Sequence, residues 1–231
     1  MENTGLFTAI LFLCTTILTI VLFYLAAHKS KKALVILLAW LILQSLLSAS
    51  GFFLSTRSVP PRTLLLALPA LIFIGILFST TKGKKFIDSL NPGLLCLLFV
   101  IRIPVEFVLY ELYLKHLVPK EITFAGTNYD IFSGLTAPLI WYFGFIKKQL
   151  DRKWILVWNF VCLGLLLNVV VKALLSVPSP VQMLNFDQPN IAVLYFPWSL
   201  LPSLVVPLVL FAHLSLFRIL FREHTIRSSA A

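Results

Sequence analysis

Long apolar runs separated by short polar stretches set the rhythm of this chain. A helix needs roughly 20 apolar residues to cross about 30 Å of hydrocarbon. Seven segments reach that length: residues 5–27, 33–54, 63–81, 92–114, 126–146, 154–175 and 194–217. The stretches between them are short, and no internal repeat or low-complexity tract interrupts them. The expected fold is therefore all-α: a polytopic transmembrane helix bundle of seven spans, forming one domain over residues 1–231. The segment 82–91 reads as a loop at the bundle's inner interface, where Phe86, Ile87 and Leu90 could dip inward.

Composition agrees. Residues of the AVILMFWYC set make up 59% of the 231 and charged residues only 12%, too few charges to clothe a soluble surface, which carries about twice that share. Mean hydropathy is +0.96. A nucleic-acid module, a secreted disulfide scaffold and a cytosolic enzyme are excluded. Cys14, Cys96 and Cys162 each lie inside an apolar run without CxxC spacing and read as buried small hydrophobes.

Lysine and arginine set the orientation, because cytoplasmic loops carry their excess. Loops after spans 1, 3 and 5, together with the C-terminal end, carry thirteen of them, ending in Arg218, Arg222 and Arg227. The opposite face has four: Arg57, Arg62, Lys115 and Lys120. The N-terminus is thus expected outside and the C-terminus in the cytoplasm. The chain begins Met-Glu-Asn-Thr with no basic n-region, so span 1 is expected to stay as an anchor.

Ionisable groups inside a span cost about 2.5–3.5 kcal/mol on translocon scales and call for a partner or a wet cavity. Span 4 holds Arg102 ten residues above Pro92, which is about 15 Å up the helix. Glu106 follows one turn on, sharing a face at i,i+4. The two read either as a self-neutralising ion pair or as an anion anchor with its proton acceptor. Pro104 between them cannot donate to the carbonyl of residue 100, which opens the backbone there. Span 5 enters through Thr127-Asn128-Tyr129-Asp130, where Thr127 and Asp130 fit a capping box. Span 6 carries Asn159, then Asn168 and Lys172 on one face; Lys172 is also placed to snorkel to headgroups. Prolines 197, 202 and 207 should bend or break span 7. His213 falls near that span's inner end and reads as a packed histidine.

Arg102, Glu106, Asn128, Asp130, Asn168 and Lys172 come from three spans and fall between the midplane and the outer surface. They predict a polar cavity open to the outside. No G-x-S-x-G, H-E-x-x-H or P-loop occurs. Four histidines scattered over both faces argue against a metal site, and no cofactor is expected. Heptahelical receptors share only the topology.

The strings Arg102-Ile-Pro-Val-Glu106, Thr123 to Ala137 (Thr-Phe-Ala-Gly-Thr-Asn-Tyr-Asp-Ile-Phe-Ser-Gly-Leu-Thr-Ala) and Tyr195-Phe-Pro197 resemble those of an uncharacterised group of small bacterial polytopic inner-membrane proteins. That resemblance implies a multi-pass protein of the bacterial inner membrane and supplies no activity.

Three functions compete. The leading one is a membrane protein that binds or transports a small polar or anionic molecule in an outward-facing pocket. The alternatives are a membrane-embedded enzyme acting on a lipid-like substrate, and a structural or assembly subunit. Besides the bilayer, the expected partners are that anionic or lipid-like ligand and a second copy of the chain in a homodimer. Nucleic acid is not among them.

Overall fold

The computed structural model describes residues 5–56 and 61–228, with side chains as far as Arg222. The leading Met-Glu-Asn-Thr, Arg57 and the side chain of Arg227 lie outside the described residues. Every regular element among those described is helical: α1 (Leu6–Ala26), α2 (Lys31–Ala49), α3 (Leu64–Ser79), α4 (Thr81–Asp88), α5 (Pro92–Leu98), α6 (Arg102–Leu114), α7 (Ile131–Ile140), α8 (Arg152–Leu175) and α9 (Val206–Ser228). A 3₁₀ turn, Phe99–Ile101, joins α5 to α6. A π-helical stretch, Trp141–Ile146, extends α7, and another, Leu201–Val205, leads into α9.

Five continuous stretches are long and apolar enough to cross a membrane: α1, α2, α5 with α6, α8, and Leu201–Arg222. The bent pair α3 and α4 makes a sixth if read as one span, and Ile131–Ile146 is a shorter apolar helix. The fifth predicted segment therefore starts later than expected, because residues 126–130 form a loop tied down by its own side chains. The seventh starts at Leu201, since Pro197 and Pro202 leave residues 195–199 in turns.

The continuous α5–α6 stretch and the Leu201–Arg222 helix form the centre, with 61% and 67% of their apolar windows buried, against 11% for α2. Between apolar helices in lipid there is no hydrophobic drive to associate, so packing and hydrogen bonds must hold α2. Its Trp40, Gln44 and Ser48 recur every four residues and share a face. The Trp40 indole N–H donates to the Ser203 carbonyl at 2.8 Å and the Gln44 side-chain amide to the Leu65 carbonyl at 3.3 Å. Each acceptor lies four residues before a proline, Pro207 and Pro69, which has no N–H to offer it. Ser48 and Ser199 hydroxyls meet at 2.8 Å. Proline thus supplies the acceptors that a regular helix would have consumed.

The segment expected as a loop is instead largely a short helix, α4, bent 91° from α3. The Thr80 hydroxyl accepts from the Gly83 N–H at 3.2 Å, and a Cβ on Gly83 would lie 2.2 Å from the Leu77 carbonyl oxygen. Only glycine permits that fold-back. Ile87 and Leu90 are buried while Lys82, Lys84 and Lys85 are exposed. Arg218 grips Asp88 with two hydrogen bonds of 2.8 and 2.9 Å, and Arg222 adds a third contact, pinning α4 to α9.

The proline-supplied acceptors generate a double-mutant cycle. Trp40→Phe and Gln44→Leu are each expected to destabilise the detergent-solubilised protein by about 0.5–1.5 kcal/mol. Gln44→Leu should cost markedly less once Pro69→Ala has returned an N–H to the Leu65 carbonyl. Thermal unfolding of the four chains measures that coupling.

Candidate functional site

The 3₁₀ turn at Phe99–Ile101 directly precedes Pro104 by one helical turn, tightening the backbone where the proline withholds its N–H. Arg102 opens α6 at that point and is 3% exposed. The sequence pairs it most simply with Glu106 on its own helix. The structure turns it across to α7, where Nη1 forms a salt bridge with Asp130. Nη1 also faces the Cys162 carbonyl of α8 at 3.4 Å, and Nη2 meets His213 Nε2 of α9 at 2.7 Å.

A guanidinium has only donors, so His213 Nε2 must accept, and we assign the ring proton to Nδ1. That atom meets Asn159 Oδ1 at 2.6 Å, while the Asn159 amide donates to the His213 carbonyl at 3.1 Å. The imidazole stacks on Phe99, with centroids 4.0 Å apart and planes 15° from parallel. Asn159 and Phe99 thus hold the ring with its acceptor nitrogen toward Arg102.

The loop before α7 delivers Asp130. Gly126 allows its tight turn, since a Cβ there would lie 2.2 Å from the Lys120 carbonyl oxygen. Asn128 is buried and saturated: its amide donates to Glu106 Oε1 at 2.5 Å and to the Ile122 carbonyl at 3.0 Å, and its Oδ1 accepts from the Asp130 N–H at 2.9 Å. The expected capping box does not form. Asp130 itself occupies the N-cap position and its carboxylate caps nothing, being committed to Arg102 and to the Ser133 hydroxyl at 3.3 Å. Thr127 donates to the Glu121 carbonyl at 3.2 Å instead. Gly134 lets α7 approach closely, as a Cβ there would sit 2.9 Å from Ile103 Cγ1 and 3.3 Å from Arg102 Cβ.

Four of the six predicted site residues are therefore brought together: Arg102, Glu106, Asn128 and Asp130. The other two stand apart. Asn168 donates to the Thr127 carbonyl at 3.2 Å and Lys172 to the Thr127 hydroxyl at 2.7 Å, clamping the loop from a half-buried position on α8. His213 and Asn159 join the cluster without having been predicted. With the helix running from Leu201 to Arg222, His213 sits at its middle and not at its end. A buried-depth polar pair, one histidine and one asparagine on neighbouring spans, was the available signal.

Beside this network lies a cavity of about 460 Å³ whose wall carries Arg102, Glu106 and Asp130. The rest of the lining is overwhelmingly apolar, including Leu109, Leu112, Leu166, Trp198 and Val205. The sequence led to a polar pocket; the residues that fill the remaining wall are the inward faces of the spans themselves. Leu68 and Leu71 of α3 and Leu167 and Leu174 of α8 line the cavity, and each is about half exposed. Glu106 keeps Oε2 without a hydrogen-bond partner, although the Phe124 peptide lies near the carboxylate, and Arg102 keeps Nε without one.

Removing one member of a buried ion pair leaves the other uncompensated, at about 3–5 kcal/mol. Asp130→Asn and Arg102→Met should each destabilise the protein on that scale. The double variant should cost clearly less than the two together, as read by unfolding in mixed micelles.

No curated protein and no solved structure matches the chain. The model of one family, described as a domain of unknown function (DUF8737), matches residues 59–221. That stretch takes in α3 to most of α9 and every member of the buried network, and, covering well over half of the sequence, it shows that the chain belongs to the DUF8737 family.

Proposed function

We propose that this is a membrane-embedded binding protein for a lipid-like molecule, holding the apolar body in the cavity and the polar end at the Arg102–Asp130–Glu106 wall. One observation carries the reading: a cavity of about 460 Å³ that is overwhelmingly apolar, with three ionisable side chains meeting it at one wall. That volume lies within the range of small-molecule sites, which pair apolar walls with a few placed polar groups. An entry between α3 and α8, whose cavity-lining leucines are about half exposed, would suit a ligand arriving through the bilayer. A free anion fits less well, since the Arg102 guanidinium already meets Asp130, His213 and the Cys162 carbonyl.

Seven spans with the N-terminus outside complete the proposal. Thirteen lysines and arginines against four support that orientation, with α3 and the shorter apolar helix Ile131–Ile146 proposed as the sixth and seventh crossings. In that frame α4 lies along the cytoplasmic interface and residues 176–193 cover the outer end. The placement in a bacterial inner membrane rests on the short strings around Arg102, Asn128 and Tyr195. Transport or passage of the bound molecule to a partner would follow binding. Acid–base catalysis is the second reading, favoured by two carboxylates on one cavity wall. It would draw chiefly on Glu106, because Asp130 is held at Oδ1 by Arg102 and Ser133.

Organic extraction of the purified protein followed by mass spectrometry tests the proposal. The wild type is expected to carry about one lipid-like molecule per chain above the level of a control membrane protein. Leu71→Trp, which fills the cavity from its exposed rim, should lose most of it while remaining folded. Equal lipid in both chains would end the reading.

A further inference from the structure

Three buried polar atoms on cavity-lining residues lack hydrogen-bond partners: Asn190 Oδ1, in the loop after α8, and Glu106 Oε2 and Arg102 Nε. Glu106 and Arg102 are 1% and 3% exposed and lie one turn apart on α6. Buried polar groups left unpaired cost about 1–3 kcal/mol each, so such atoms mark where a ligand's polar group belongs. The hydrogen-bonding atoms beside these two on α6 and α7 are engaged, Asp130 through Oδ1. Glu106 Oε1 has Asn128, Asp130 Oδ1 has Arg102 and Ser133, and the Arg102 terminal nitrogens have Asp130, His213 and the Cys162 carbonyl.

We infer that the site selects a neutral, hydroxyl-headed apolar molecule, whose hydroxyl bonds Glu106 Oε2 and Arg102 Nε together. This rests on the lipid-binding reading and names its ligand class. Arg102 Nε is a donor only, so the head must accept a hydrogen bond. Glu106 Oε2 accepts when the carboxyl is ionised and donates when it is protonated, and a hydroxyl can answer either. A carboxylate head would bring a negative charge beside Asp130 and Glu106, where the one guanidinium is already paired. An ammonium head has no acceptor to offer Arg102 Nε. A plain hydrocarbon fills the cavity and leaves both atoms unmet.

The test places the full-length protein in phospholipid nanodiscs holding equal mole fractions of 1-hexadecanol, hexadecanoate, hexadecylammonium and hexadecane. Native mass spectrometry then reads which chain stays bound on release from the disc. The expected result is 1-hexadecanol retained about tenfold over each of the other three, the scale of one or two net hydrogen bonds. Glu106→Leu should remove that preference while leaving hexadecane retention intact. A charged chain bound best, or an alcohol preference that survives Glu106→Leu, would overturn the hydroxyl assignment while the cavity reading stands. Retention of none of the four would overturn the lipid-binding reading itself. The head-group ranking in the wild-type chain decides the assignment even where Glu106→Leu does not fold.

Discussion

A guanidinium buried among membrane helices is tolerated only if its charge is paired and most of its donors are met. Arg102 is answered from three sides, and that demand organises the centre of the bundle. Asp130 must leave its helix end and reach α6, which requires α7 to approach closely and explains a glycine at position 134. The loop before it must hold a fixed path, which Gly126 and the saturated side chain of Asn128 provide. His213 takes the second arm of the guanidinium, and Asn159 keeps its ring turned the right way. Remove the charge and these features have no common reason to exist.

A second constraint is the scarcity of adhesion between apolar helices in lipid. Backbone carbonyls are the most plentiful acceptors in a bundle, yet a regular helix uses them internally. Pro69 and Pro207 break that monopoly at two places, and Trp40 and Gln44 occupy both. The prolines that look from sequence like devices for bending therefore also act as attachment points for α2, the least buried of the spanning helices.

The sequence made the helices legible because hydrophobic length is a direct consequence of bilayer thickness. The fourth segment, 92–114, coincides with the helix found, and the charge of Arg102 flagged its own importance. Partner choice was not legible. Spacing of i,i+4 says that Arg102 and Glu106 share a face, but not which neighbouring helix that face meets. The same limit misplaced Asn168 and Lys172, whose depth along α8 was readable and whose direction toward Thr127 was not. His213 was passed over for a different reason. Three prolines blurred the start of its span, and an error of several residues at the start shifts a side chain by most of two turns in depth.

The character of the cavity follows from which atoms can be seen in a sequence. Charged residues announce themselves, so three of them on neighbouring spans suggest a polar pocket, while the leucines and valines that make up the rest of the wall look like ordinary membrane residues. Taken together the two classes describe a different object. Where the wall is apolar it holds water poorly. On the proposed reading, the group that meets Glu106 Oε2 and Arg102 Nε is carried in on a body that the leucine-lined wall accepts. The cost of burying that group without a partner, and of leaving these two atoms without one, is relieved in a single event. On the proposed reading the charged wall and the apolar cavity are one site, reached from the bilayer.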